Sequence, residues 1–126
     1  MMFTSLLSVV ILASNPFVNT HRLHCQDPWF HYLHEKKKTV EGRLNKGACS
    51  LIKAGDQIEF YNGDHSFFLT VTRIQHFATL VGYLKTVGLQ NALPEIKTIQ
   101  EGCEIYLKFY SEDDLQKFGI LAFTVQ

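Results

Sequence analysis

The sequence predicts an α+β domain, a sheet rolled toward a barrel with short helices on its flanks. Three observations predict it. Two strand-like runs meet at Asn62-Gly63, a strong hairpin signal. A capping box, Thr98-Ile99-Gln100-Glu101, opens a helix late in the chain, after an earlier helical stretch that Gly88 stops. The order of elements (strand, helix, several strands, two helices, strand) suits a barrel-like sheet better than a doubly wound one.

The chain begins with an apolar run from Leu6 to Ala13, broken only by Ser8 and followed by Ser14-Asn15-Pro16. It looks superficially like a secretion signal, but no Lys or Arg precedes Arg22, so the charged n-region is missing. The run is also too short to span a bilayer as a helix. Val9, Val10 and Ile11 are β-branched and suit an extra strand lying on the domain. Residues 1–20 are therefore read as an N-terminal extension, a possible extra strand or signal-like segment, and residues 21–126 as the domain. The expected location is intracellular, cytoplasmic or nuclear, with secretion as the alternative.

His21 to Cys25 reads as a short strand. Asp27-Pro28 then opens a brief helix, with Asp27 expected as N-cap and Pro28 at the first helical position. Trp29, Phe30 and Leu33 form its apolar stripe, and it ends in Glu35-Lys36-Lys37-Lys38, where lysines oppose the partial negative charge of a helix C-terminus. Thr39 to Leu44 alternates as a strand does: Val40 and Leu44 point one way, Thr39, Glu41 and Arg43 the other. Asn45-Lys46-Gly47 is a turn. The hairpin pairs Gly55 to Tyr61 with Ser66 to Arg73, and Phe67, Leu69 and Val71 make the more apolar face of the second strand. Phe77 to Val87 has helical spacing, with Phe77, Leu80, Val81 and Leu84 expected on one side. In the capping box, Thr98 and Glu101 are each expected to satisfy a free amide, and that helix continues through Ile105, Tyr106 and Phe109. Ser111 with Glu112, Asp113 and Asp114 starts another short helix, and Ile120 to Val125 is a terminal strand.

Composition narrows the function. A length of 126 residues fits one domain, and ten Phe, five Tyr and one Trp supply bulky core filling. Twelve basic residues balance twelve acidic ones, so net charge suggests no general polyanion surface. The charge is uneven, however. Residues 21–53 carry seven Lys or Arg against three acids (+4), and residues 54–126 carry five against nine (−4). Contact with phosphate is expected from the first half. Cys25, Cys49 and Cys103 are odd in number and widely spaced, which implies neither a disulfide framework nor a zinc ribbon.

Glu41 and Arg43 carry the chemistry. A core strand does not need opposite charges on one side, so the two are either solvated or line a cleft. In a cleft, Arg43 donates to a phosphate or a base edge while Glu41 orients it or accepts from a base amino group. Lys38 and Arg43 are then expected to face solvent within that cleft. His21, His24, His31 and His34 fall within fourteen residues, but their spacing matches no standard ligand set, and neither metal nor cofactor is expected. Tyr106, Phe109 and Tyr110 read as helix packing. Trp29, beside the basic run, is the better platform for stacking a base.

Three stretches together resemble the ASCH family, a branch of the PUA-like β-barrels: Pro28-Trp29-Phe30, Lys38-Thr39-Val40-Glu41-Gly42-Arg43-Leu44, and Ile52-x-x-Gly55-Asp56-x-Ile58-x-Phe60. Gly88-Leu89 to Leu93-Pro94, Thr98-Ile99-x-Glu101-Gly102 and Tyr106-x-x-Phe109-Tyr110-Ser111 extend the similarity, which runs from about His21 to Val125. The resemblance implies a PUA-like β-barrel with short helices flanking a cleft, and RNA or a nucleotide as partner, with no membrane. It places Lys38, Thr39, Glu41 and Arg43 in that cleft, with Trp29 nearby. Some similar proteins are amidohydrolases that release acetyl from modified cytidine, using a Lys, a nucleophilic Thr three residues later and a distant Glu. Lys38 matches the Lys, and Glu95 is placed like the Glu, three residues before a helix-capping Thr; position 41 is Glu in place of Thr. A hydrolase reading, on a modified nucleoside or RNA, would make Lys38, Glu41 and Glu95 catalytic, with Glu41 activating water and Lys38 polarising the carbonyl. A protein-interaction module without turnover is the remaining alternative.

Overall fold

The computed structural model describes residues 18–126. The apolar run at 6–13, with the strand or signal expected there, lies outside the described residues. Five strands form one sheet: β1 (Thr20–His24), β2 (Val40–Leu44), β3 (Gln57–Asn62), β4 (His65–Phe77) and β5 (Ile120–Val125), in the order β1-β3-β4-β5-β2. β1 and β3 run parallel, and all other neighbours are antiparallel.

The thirteen-residue β4 bends the sheet. Its first half, His65 to Thr70, pairs with β3, whereas Val71 to Phe77 pairs with β5 on the opposite edge, with a register shift between Val71 and Arg73. A right-twisted strand that changes partner midway curls the whole sheet. The result is the α+β architecture expected, a curled half-barrel with short helices. It stays open between the edge strands β1 and β2, but Arg43 Nη2 on β2 donates to His24 O at the end of β1 across that gap, at 2.7 Å. This crossing helps hold the mouth of the cleft.

β5 is apolar almost throughout because both of its faces are covered. Leu121, Phe123 and Val125 join Leu23, Leu33, Ile58, Phe60 and Val71 in one core, while Ile120 and Ala122 join Val40, Tyr83, Leu84, Leu93 and Tyr106 in a second. Trp29 packs against both. Among the described residues, no helix is long and apolar enough to cross a membrane.

Several local expectations are corrected. The first helix, α1 (Trp29–His34), starts one residue late, with Pro28 as N-cap and no side-chain cap. Phe30 N donates to Gln26 O at 3.1 Å, so a backbone carbonyl satisfies an amide in place of the Asp27 carboxylate. Phe77 belongs to β4, held extended by its pairing with Ile120. The helix that follows, α2 (Leu80–Val87), starts after Thr79, whose hydroxyl accepts from Gly82 N at 3.0 Å. Its inward face is Leu80, Tyr83 and Leu84, and Val81 is exposed. The chain also forms a 3-10 turn at Gly47–Leu51 and a short helix α3 (Leu89–Ala92), which the sequence pattern does not announce. The capping box of α4 (Ile99–Leu107) is half formed. Thr98 Oγ1 accepts from Glu101 N at 3.1 Å, but the Glu101 carboxylate takes the Thr98 hydroxyl and not its amide. α5 (Glu112–Phe118) is capped as read, by Ser111 Oγ accepting from Asp114 N.

Candidate functional site

A cavity of about 300 Å³ opens between the ends of β1 and α1, the β2 strand and the end of α4. Period-two alternation along β2 sends Glu41 and Arg43 to this side and Val40 into the core behind. Gly42 lies between them because nothing larger fits. A Cβ there would stand 2.5 Å from Tyr83 Oη and 3.0 Å from Tyr106 Oη.

Lys38 is brought in by the turn after α1, where Lys36 adopts φ 66° and Lys38 N donates to Tyr32 O. Its side chain is buried, only 1% exposed, which corrects the expectation that it faces solvent. Nζ donates to Val40 O at 2.7 Å and to Ala92 O, and it faces Glu41 Oε1 at 3.2 Å. Three acceptors around one nitrogen match the three protons of an ammonium, and a neutral amine would set its lone pair against an oxygen. Lys38 is therefore a charged brace with no proton left to offer a ligand.

The buried Glu41 carboxylate joins the cations. Its Oε2 accepts from Arg43 Nε at 2.9 Å and from Nη2 at 2.7 Å. Burial alone would raise the Glu41 carboxyl, but Arg43 and Lys38 outweigh it and hold the group below its ordinary value. Burial pulls Lys38 down more than Glu41 restores. For Arg43 burial also opposes the charge, and Glu41 wins, raising it further. The Arg43 side chain is 19% exposed, and its Nη1 has no partner among the described residues. One lone-pair position of Glu41 Oε1 is likewise unfilled.

Trp29, Tyr106, Phe109 and Tyr110 are also part of the cavity wall. The sequence pattern reads the last three as helix packing and carries the helix through Phe109. But α4 ends at Leu107, and Phe109 and Tyr110 lie in the turn beyond it, where Tyr110 N still donates to Tyr106 O. Tyr106 does serve the core, but Phe109 is 46% exposed and Tyr110 borders the opening. Residues at i, i+3 and i+4 share a face, and that spacing serves a core and a binding wall equally. Cys25 is also at the wall; burial, followed by Glu41, pushes its thiol up to about 12, so it is not a ready nucleophile at neutral pH.

Other predicted residues lie apart. Thr39 is tied through its backbone to Asn91 O and Val125 N and does not line the cavity. Glu95 is exposed in a left-handed conformation (φ 74°) outside the cavity wall, its amide donating to Gln90 Oε1. The structure thus brings together Trp29, Lys38, Glu41 and Arg43 but neither Thr39 nor Glu95. The histidines separate as well. His21 pairs with Asp56 at 2.8 Å, His31 with Glu35, His24 sits edge-on to Tyr61, and His34 rests on Phe67. Among the described residues no group of three or more His, Cys, Asp or Glu is placed to hold a metal.

No family model matches the sequence. No curated protein matches it significantly. Solved structures do. The crystal structure of hypothetical protein PH0355 is 30% identical, with a TM-score of 0.80, covering 85% of this chain and 97% of that one. The solution structure of protein PF0455 from Pyrococcus furiosus is 31% identical, with a TM-score of 0.72, covering 85% and 96%. A point mutant of ZmASCH from Zymomonas mobilis is 15% identical, with a TM-score of 0.61 over 86% of this chain and 68% of that one, a likeness of fold. This chain belongs to one family with PH0355 and PF0455, and its fold is that of the ASCH domain, a PUA-like half-barrel.

Proposed function

We propose that the cleft binds a single nucleobase, carried by a nucleotide or an RNA strand, and that Arg43 and Glu41 read its edge. One observation carries the reading: a half-buried Arg paired with a buried carboxylate inside an aromatic-walled cavity keeps a free donor group on Arg43 Nη1 and a free acceptor position on Glu41. A donor beside an acceptor complements the hydrogen-bonding edge of a heterocycle, and flat apolar walls suit its faces. The volume lies at the small end of the usual range for ligand pockets, roughly 300–1,000 Å³, which suits one nucleoside unit and excludes a duplex. Two cations against one carboxylate leave the site positive, which favours an attached phosphate. The hydrolase alternative asks Lys38 to polarise a substrate carbonyl, yet its protons are already accepted by protein oxygens. Binding is therefore the reading we adopt.

The test is calorimetric titration of the protein with the four ribonucleoside 5′-monophosphates and a short single-stranded RNA. Wild type should bind at least one of them, and Arg43→Ala should weaken that binding tenfold or more, because a hydrogen bond to a charged group contributes about 1.5–3 kcal/mol. Arg43→Lys keeps the charge but loses the forked geometry and should rescue only part of the affinity. Absence of binding at millimolar concentration would remove the reading.

A further inference from the structure

The tyrosine pair behind Gly42 holds a proton that no protein acceptor takes. Tyr83 Oη and Tyr106 Oη lie 2.6 Å apart. Burial pushes both phenols upward, so each keeps its proton at neutral pH. Two hydroxyls thus carry two protons but share one hydrogen bond, and among the described residues neither has another side-chain or backbone partner. Either arrangement leaves one proton over. If Tyr106 donates, the surplus proton belongs to Tyr83, which is fully buried, and an unmet donor there is costly. If Tyr83 donates, the surplus belongs to Tyr106, which is also buried (5% exposed) but borders the cavity, the side from which water or a ligand would accept it.

We infer that Tyr106 is a specificity-determining donor of the cleft, positioned by Tyr83 and offering its proton to a carbonyl oxygen or ring nitrogen of the bound base. This rests on the base-binding reading above. Receiving a bond from Tyr83 polarises the Tyr106 hydroxyl and makes it a better donor. Together with Arg43 Nη1 it gives the cleft two donor groups against the single open position of Glu41, so the site selects an edge richer in acceptors than donors. Gly42 is what lets the pair pack against β2, since a Cβ would occupy the place of the Tyr83 hydroxyl.

The experiment compares wild type, Tyr83→Phe, Tyr106→Phe and the double substitution in the full chain. Thermal unfolding without ligand reads the direction of the bond. Tyr106→Phe strands the Tyr83 proton and should lower Tm more than Tyr83→Phe does, and the double substitution should recover part of that loss. Titration with the four ribonucleoside 5′-monophosphates reads recognition. For the one wild type binds best, Tyr106→Phe should weaken affinity about five- to tenfold, and Tyr83→Phe should weaken it less. A larger Tm loss from Tyr83→Phe than from Tyr106→Phe overturns the inference, as does unchanged affinity in Tyr106→Phe when wild type binds. If wild type binds neither any of the four nor the short single-stranded RNA, the base-binding reading itself falls, and the role of Tyr106 falls with it.

Discussion

Replacing Lys38 by Ala should be a severe folding mutation. The substitution removes a buried ammonium from three oxygens: two backbone carbonyls, Val40 O and Ala92 O, and Glu41 Oε1. It leaves the buried Glu41 carboxylate with Arg43 as its one cationic partner, and it opens a void between β2 and the end of α3. Leaving a buried charge with no partner costs about 3–5 kcal/mol, and because Arg43 keeps Glu41 paired the loss should fall toward the lower end of that range. Domains are stable by only about 5–15 kcal/mol, so the loss is a large share of the total. Lys38→Met separates the two contributions, since it refills most of the volume without the charge. If the lost charge dominates, Met should be nearly as damaging as Ala, and adding Glu41→Gln to Lys38→Met should cost more still, because it takes from Arg43 the carboxylate that pairs with it. Urea unfolding followed by circular dichroism, with m-values compared to show that the transition keeps its character, measures all of these. A loss below about 1 kcal/mol for Lys38→Ala, the range of an exposed ion pair, would refute the brace and make Lys38 a surface lysine.

Gly42→Ala should destabilise by about 1–3 kcal/mol, the cost of overpacking, because its Cβ would sit 2.5 Å from Tyr83 Oη; the Tyr83→Phe background should relieve part of this in urea melts. Acid should unfold the protein through Glu41 and Asp56. For Glu41, Arg43 and Lys38 outweigh the upward push of burial, and for Asp56 the His21 and backbone hydrogen bonds do so, leaving both folded carboxyls below their ordinary values of 4.5 and 3.8. The unfolded chain then takes up protons first, so their contribution is complete above the ordinary values and is lost as pH falls through the depressed folded ones. Unfolding free energy should decline as pH drops below about 4.5, and Glu41→Gln and Asp56→Asn should each flatten that decline; a profile independent of pH there would count against both pairings. The Cys25 thiol, pushed up to about 12, should alkylate with iodoacetamide at pH 8 far more slowly in the native protein than in urea, as peptide mass spectrometry can follow. Equal rates would show an exposed thiol.

What was legible in the sequence was local. β5 occupies Ile120–Val125 as read, the β3–β4 hairpin closes with Asn62 opposite His65, and Thr98 and Ser111 cap their helices. Each depends on bonds or steric limits within a few residues, where residue type alone decides. Period-two alternation likewise sent Glu41 and Arg43 to one side of β2. The partners of those charges were not local. Lys38 is a brace and not an open cleft residue because a carbonyl 54 positions later, that of Ala92, meets its ammonium. Phe77 is strand and not helix because Ile120 lies opposite it in the sheet. The aromatic wall shows the same limit, since Tyr106, Phe109 and Tyr110 have one spacing whether they meet a core or a cavity. Alternation and capping set the side of an element on which a residue falls. What it meets there depends on sheet register and chain crossings, which bring together atoms whose sequence separation carries no local signal.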